Sequence, residues 1–262
     1  MPYQFLKAHV EERVGWLEYY HPPMNAFSLE MLRELDRGLE GLLGDPGVRV
    51  VAFASALEKF FSVGADLRHF QRMGPEEMRL WAATSHGTVL RMRRARKPLL
   101  AAIHGTAVGG GLEFVLNCDI RFAAADARLG QPEINIAFIP PAGATQALPR
   151  LLGRSRALRL LYEGNLVSAG DALAMGLVDF VVPPDQLRKE VQAYALALSR
   201  KPAEALAAIR RCVTEGVAAP YEDGLHMERE AAAHLAGTPD FAEGLRAFLE
   251  KRAPRWVEPA AG

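Results

Sequence analysis

Apolar and polar positions alternate from the start of the chain. In QFLKAHVEERVGWLEYYH the alternation runs on both sides of Glu11 to Arg13, the pattern of a β-hairpin, and PPMNAF reads as the loop that leaves it. The period then changes. SLEMLRELDRGLEGLL carries its leucines and methionine at helical spacing, with charges on the opposite face, Ser28 placed as N-cap and GDPG as the stop. RVVAFAS is a short, almost wholly apolar run, the kind buried on both faces of an α/β sheet. Pro75 to about Arg96 is helical and polar, and LLAAIHG after Lys97-Pro98 predicts a second buried strand. GLEFVLNC predicts a helix, and DIRFAAADARLG a strand pair leading into QPEIN. Beyond Ala144 the chain turns mainly helical, including SAGDALAMG with Ser168 as N-cap and Gly176 as C′ residue. From Gln186 to Glu250 three amphipathic stretches are expected, broken at Pro202, Pro220 and Pro239. Two strands that each deliver the chain into a glycine-containing turn make an architecture that builds sites at strand ends.

Composition narrows the class. Of 262 residues half are hydrophobic and 24% charged, with formal net charge zero, which describes a globular chain with ample core and gives no reason to expect a polyanion as general partner. Cys118 and Cys212 are too few for a disulfide framework and have no metal-type spacing; a reducing, cytoplasmic compartment is expected. The N-terminus lacks the basic start and unbroken apolar run of a signal peptide, and no stretch is long enough to span a bilayer. The seven histidines show no ligand spacing, so no metal is expected; His104 reads as a core or turn residue. RMRRARK, residues 91 to 97, reads as a solvated helix end.

Two segments carry candidate chemistry. AVGGGLEFVLNCD, residues 107 to 119, puts three glycines at the mouth of a predicted helix, where first-turn N–H groups near Gly110 are unpaired and suit an anion. Neither a Walker sequence nor a GxGxxG fingerprint is present, which leaves a smaller oxyanion; the alternative is that the glycines only let a helix pack closely on a strand. Glu113 in this segment and Glu133 in GQPEIN are carboxylates between apolar stretches. Such a pair can divide acid and base work if burial and neighbours shift their pKa values, or both can be solvated loop residues.

FFSVGADL, AAIHGTAVGGGLEFVLNCD, GQPEINIAFIPPAGATQALPRLLG and SAGDALAMGLVDFVV, taken together and in this order, closely resemble the crotonase superfamily of enoyl-CoA hydratases and isomerases over nearly the whole chain. The resemblance implies an α/β fold, the crotonase (ClpP-like) spiral of ββα units over residues 1–195, with a helical C-terminal trimerisation region over 196–262 and assembly as a homotrimer or homohexamer. It implies hydration of a trans-2-enoyl-CoA to a 3-hydroxyacyl-CoA, as in fatty acid β-oxidation. The thioester carbonyl would sit in an oxyanion hole of the Ala65 and Gly110 N–H groups. Glu113 would activate the water for attack at the β-carbon while Glu133 delivers a proton to the α-carbon. Asp66, Leu67 and Arg68 after Ala65 match the strip that contacts the CoA moiety, as do Met24 and Ala26 in the first loop. Lys251 matches a lysine that reaches CoA, often across a subunit boundary. Coenzyme A comes in on the substrate, with no resident cofactor and no membrane or nucleic-acid partner expected.

The chain departs from the hydratase pattern at Pro141, where IPPAGATQ replaces IPGAGGTQ. Proline has no N–H, so one contact to the catalytic water is expected to be missing, at a net cost of about 1 kcal/mol. An enoyl-CoA isomerase, which needs only the Glu133 position, and a non-catalytic acyl-CoA or RNA-binding protein are the alternatives.

Overall fold

The structure, a computed structural model, describes residues 3–257; the outermost residues of both expected regions, 1–2 and 258–262, lie outside it. The hairpin forms as expected from β1 (Leu6–Glu11) and β2 (Val14–Tyr19), joined by Glu12 and Arg13, both at positive φ as a two-residue hairpin turn requires. Next comes α1 (Leu29–Gly44), with the Ser28 hydroxyl accepting from the Met31 N–H.

Three strand pairs then repeat. β3 (Val50–Ser55) and β4 (Phe60–Ser62) lead to the short α2 (Leu67–Phe70) and long α3 (Pro75–Arg94). β5 (Leu99–Ile103) and β6 (Thr106–Val108) lead to α4 (Gly110–Val115). β7 (Ile120–Ala124) and β8 (Arg128–Gly130) lead to a 3-10 turn, Glu133–Ile136, then α5 (Ala144–Leu152) and α6 (Arg154–Glu163). β9 (Val167–Ser168), α7 (Ala169–Met175) and β10 (Phe180–Val182) close the spiral. The first strand of each pair joins one sheet, ordered β1-β2-β3-β5-β7-β10, and the second joins another, ordered β4-β6-β8-β9. All neighbours are parallel except β1 with β2 and β8 with β9. This is the expected spiral of ββα units. β5 is buried throughout because the sheet is covered, with α8 (Leu187–Ser199) packed on β2, β3, β5 and β7.

α8 runs through residue 195 to Ser199. Two expectations change. Four helices, not three, fill residues 187–249: α8, α9 (Ala203–Gly216), α10 (Tyr221–Ala236) and α11 (Pro239–Leu249), because each proline starts a new helix. The basic run 91–97 is not simply solvated. Arg91 bonds Asp36 and Glu40 of α1, Arg93 donates to the Thr214 carbonyl of α9, Met92 is buried, and the Lys97 ammonium donates to the Leu42 and Asp45 carbonyls. Those charges tie α3 and the strand after it to their neighbours. His104 is the turn histidine expected, bonded through Nε2 to the Leu57 carbonyl. Among the described residues no helix is long and apolar enough to cross a membrane.

Candidate active site

The segment after β4 is held against the loop before α1 by one parallel bridge, Phe27 with Ala65. Phe27 donates to the Gly64 carbonyl at 2.7 Å and accepts from the Asp66 N–H at 3.1 Å. Both bonds go to the residues flanking Ala65, so the Ala65 N–H faces the other way. Asn25 secures the loop: at positive φ and fully buried, its amide donates to Ser55 Oγ and the Phe61 carbonyl and accepts from the His21 N–H. Ser62 joins the same strips, donating to the Asn25 carbonyl and accepting from the Gly64 N–H. Behind them Tyr19, Phe27, Phe61 and Phe114 pack edge to face, each contact 5.3 Å between centroids.

The three glycines have different reasons to be glycine. Gly109 sits at φ +51, and a β-carbon there would stand 2.9 Å from the Glu133 carboxylate. A β-carbon on Gly111 would stand 2.4 Å from that of Ser62, so its absence lets α4 lie on β4. Gly110 has room, with Phe27 at 3.5 Å. The Leu112 and Glu113 N–H groups both bond the Gly109 carbonyl, leaving the Gly110 N–H as a first-turn donor with no acceptor among the described residues, like that of Ala65. Gly64 brings the two together: a β-carbon on it would be 3.1 Å from the Gly110 nitrogen. Close packing and bared donors, the two readings of GGG, are therefore both present, at different glycines.

Glu113 is fully buried on α4. Its Oε2 accepts from the N–H groups of Ala142 at 2.8 Å and Ala144 at 2.9 Å, while Oε1 has no partner. Burial pushes its pKa up to about 8, against the pull of those amides and with a smaller push from Glu133. Glu133 is half-buried at the start of the 3-10 turn, which ends at Ala137 in the left-handed conformation. Burial raises its pKa to about 7. The Gln131 amide, turned so that its NH2 faces the carboxylate, donates to both oxygens at 3.1 and 3.2 Å. The reading of both glutamates as solvated loop residues is thus excluded.

Both glutamates, Ala65, Leu67, Gly110 and Pro141 line one cavity of about 240 Å³, walled by Val63, Phe70, Trp81, Ile136 and Phe138. The other expected residues do not line it. The Met24 carbonyl accepts from the N–H of Val63, which does line it, and the Ala26 carbonyl bonds the His21 ring. Asp66 caps α2 by accepting from the Arg68 N–H. Lys251 is exposed beyond α11. A larger cavity, about 480 Å³, lies between the end of α1 and the start of α9, with none of the expected site residues around it. Among the described residues no cluster of His, Cys, Asp or Glu is placed to hold a metal ion.

Sequence reasoning missed Gln131, Asn25 and Trp81. Gln131 stood two residues before Glu133 and was open to the question of what holds that carboxyl. The polar helix 75–96 gave no sign that Trp81, Ser85, Thr88 and Met92 form a buried stripe, because two of the four are polar.

The fold and this cavity define an α/β spiral enzyme in which two unpaired backbone donors and two carboxyls, one fully and one half-buried, line one cavity. The sequence model of enoyl-CoA hydratase/isomerase matches residues 10–259, and the chain belongs to that family, within the crotonase superfamily. A Bacillus subtilis protein named "Probable enoyl-CoA hydratase" is 36% identical, with 94% of this chain and 96% of that one covered. The crotonyl-CoA hydratase of Syntrophomonas wolfei is 33% identical, with 98% and 99% covered. A solved enoyl-CoA hydratase from Bacillus anthracis superposes with a TM-score of 0.92 at 35% identity, covering 98% of this chain and 100% of that one.

Proposed function

We propose that this protein is an enoyl-CoA hydratase, adding water across the 2,3 double bond of a trans-2-enoyl-CoA to give the 3-hydroxyacyl-CoA, a step of the fatty acid β-oxidation type. The observation that carries the reading is the meeting of two free backbone N–H groups and two carboxyls of raised pKa around one apolar-walled cavity. The thioester oxygen takes the Ala65 and Gly110 N–H groups, which stabilise enolate charge more than the neutral carbonyl, since donors fixed in advance in a dry site act most strongly on developing charge. Gly110 leaves space for that approach. Glu113, through its unpartnered Oε1, takes a proton from the attacking water as oxygen bonds to the β-carbon. Glu133 gives its proton to the α-carbon, so the pair is returned with the proton exchanged. Values near 8 and 7 leave the two singly protonated forms within about tenfold of each other, which suits a reaction run in both directions. Coenzyme A comes with the substrate, contacted by Met24, Ala26 and the strip Ala65, Asp66, Leu67 and Arg68, with Lys251 reaching it from a neighbouring copy. No resident cofactor is needed.

The active form carries one proton on the pair. Activity on crotonyl-CoA, followed as loss of the conjugated-enoyl absorbance, is expected to be bell-shaped in pH. It falls below about 7 as both carboxyls protonate and above about 8 as both ionise. A wild type that leaves crotonyl-CoA and a longer enoyl-CoA untouched would overturn the hydratase reading.

Homo-oligomeric assembly, as a trimer or hexamer, is part of the same proposal. Ile209 and Val213 on one face of α9, and Val217 just beyond its end, form an apolar stripe exposed at 62%, 62% and 70%. Light scattering on the purified protein is expected to give three or six copies. A cytoplasmic location fits two unpaired cysteines, one of them buried.

A further inference from the structure

The amides that hold Glu113 belong to Ala142 in the loop before α5 and to Ala144, the first residue of α5, and α3 bonds that loop through His86. His86 lies with Nε2 2.8 Å from the Pro141 carbonyl oxygen. Three residues on, Val89 of the same helix face packs where a side chain on Gly143, at φ +115, would begin, 3.8 Å away. A carbonyl oxygen can only accept, so His86 donates and Nε2 carries the proton. The Pro141 carbonyl and the Ala142 N–H are the two ends of one planar peptide group. The contacts therefore run in series: His86 Nε2–H to the Pro141 oxygen, across the peptide, and from the Ala142 N–H to Glu113 Oε2 at 2.8 Å.

We propose that His86 is a positioning residue for Glu113, fixing and polarising the peptide between Pro141 and Ala142 whose N–H holds the Glu113 carboxylate. A peptide plane turns as a unit, so a donor on its carbonyl sets where its N–H points. Hydrogen bonds in series also strengthen one another, so a donor on the carbonyl makes the N–H a better donor. Pro141 makes the arrangement matter more, because the preceding peptide has no N–H to share the load. The charge that acts on Glu113 is that of Glu133, and it is common to every variant below. His86 is exposed and does not itself line the cavity; it reaches the site only through the peptide after Pro141.

The catalytic part of this inference rests on the hydratase reading; the part concerning the carboxyl does not. The test uses full-length protein with 13C-carboxyl-labelled glutamate, the Glu113 resonance being the one missing from Glu113→Gln. In His86→Leu the Glu113 carboxyl is expected to titrate at higher pH than in wild type, because its anion has lost part of a hydrogen bond. kcat on crotonyl-CoA is expected to fall about threefold to tenfold with KM little changed. His86→Gln, whose amide can donate to the same carbonyl, is expected to restore most of both. In a Glu113→Gln background His86→Leu is expected to cost nothing further. An unmoved Glu113 titration in His86→Leu, or His86→Gln no better than His86→Leu, overturns the proposal. His86→Ala is read by the same criteria if the leucine variant does not fold. Wild type without turnover would sink the hydratase reading only, since the titration still decides His86.

Discussion

Glu113→Gln and Glu133→Gln are each expected to lower kcat for enoyl-CoA hydration about a hundredfold to ten-thousandfold, the range a positioned acid or base commonly contributes. The amide keeps the size of the side chain and can still accept from Ala142 and Ala144, so position 113 loses proton transfer and little else. KM is expected to change much less, because thioester binding falls to the backbone donors and the CoA contacts. The two variants also separate the rival chemistry. An isomerase moving a proton between carbons needs Glu133 alone, so an active Glu113→Gln beside a dead Glu133→Gln would replace hydration by isomerisation. Steady-state turnover of crotonyl-CoA decides between them.

The same substitutions are expected to stabilise the fold. Both carboxyls have folded pKa values raised from the ordinary 4.5 to about 8 and about 7, so the folded state binds protons that the unfolded chain has released. Stability is therefore undiminished below about pH 4.5 and is lost as pH rises through the folded values. Glutamine has no proton to lose, so the variants are expected to melt above wild type at pH 8.5, with the gap closing towards pH 4.5. Calorimetry across that range reads it. A wild type that melts higher than both at pH 8.5 would mean the burial penalty is offset in the ionised protein.

The glycine run gives the other large effect, and the three positions are expected to differ. Gly111→Ala forces a methyl to within 2.4 Å of the Ser62 β-carbon, on a residue whose hydroxyl ties the first loop to the Gly64 N–H. Neither α4 nor β4 can yield without opening that strip, and overpacking of this kind costs about 1–3 kcal/mol or more. A melting temperature lower by several degrees is expected, with activity lost alongside. Gly110→Ala meets only ordinary contact with Phe27, so it is expected to fold and melt near wild type, with turnover lowered if the added methyl shifts the N–H that the proposed oxyanion hole uses. Gly109→Ala combines a left-handed backbone with a clash against Glu133 Oε1, and both stability and kcat are expected to fall. Thermal melts and kinetics on the three alanine variants check this pattern. An active Gly110→Ala would show that the space beside Gly110 is not needed for thioester binding, since alanine keeps the N–H.

Much of this was legible in the chain itself. Periodicity alone located the hairpin, α1, α3, β3 and β5, because each carries a local period or an unbroken apolar run, and Ser28 and Ser168 cap the helices they were expected to cap. Periodicity misjudged what depends on neighbours. The basic run 91–97 read as solvent-facing until its partners on α1 and α9 appeared. Resemblance marked Ala65, Gly110, Glu113 and Glu133, and the structure sets all four around one cavity although they are spread over 69 positions of sequence.

Short segments of the chain settle the elements with a clear local period, such as the hairpin, α1, α3, β3 and β5, and mark Glu113 and Glu133 as carboxylates between apolar stretches. Tertiary structure alone decided which oxygen of Glu113 is held and which is free, that Gln131 holds Glu133, that Gly111 serves packing while Gly110 leaves room, and that an exposed His86 reaches the loop of Pro141. Apart from the Gln131 bond to Glu133, which depends on an amide orientation, these contacts join residues 29 to 55 positions apart and depend on how elements dock, and docking has no local period for a sequence to display.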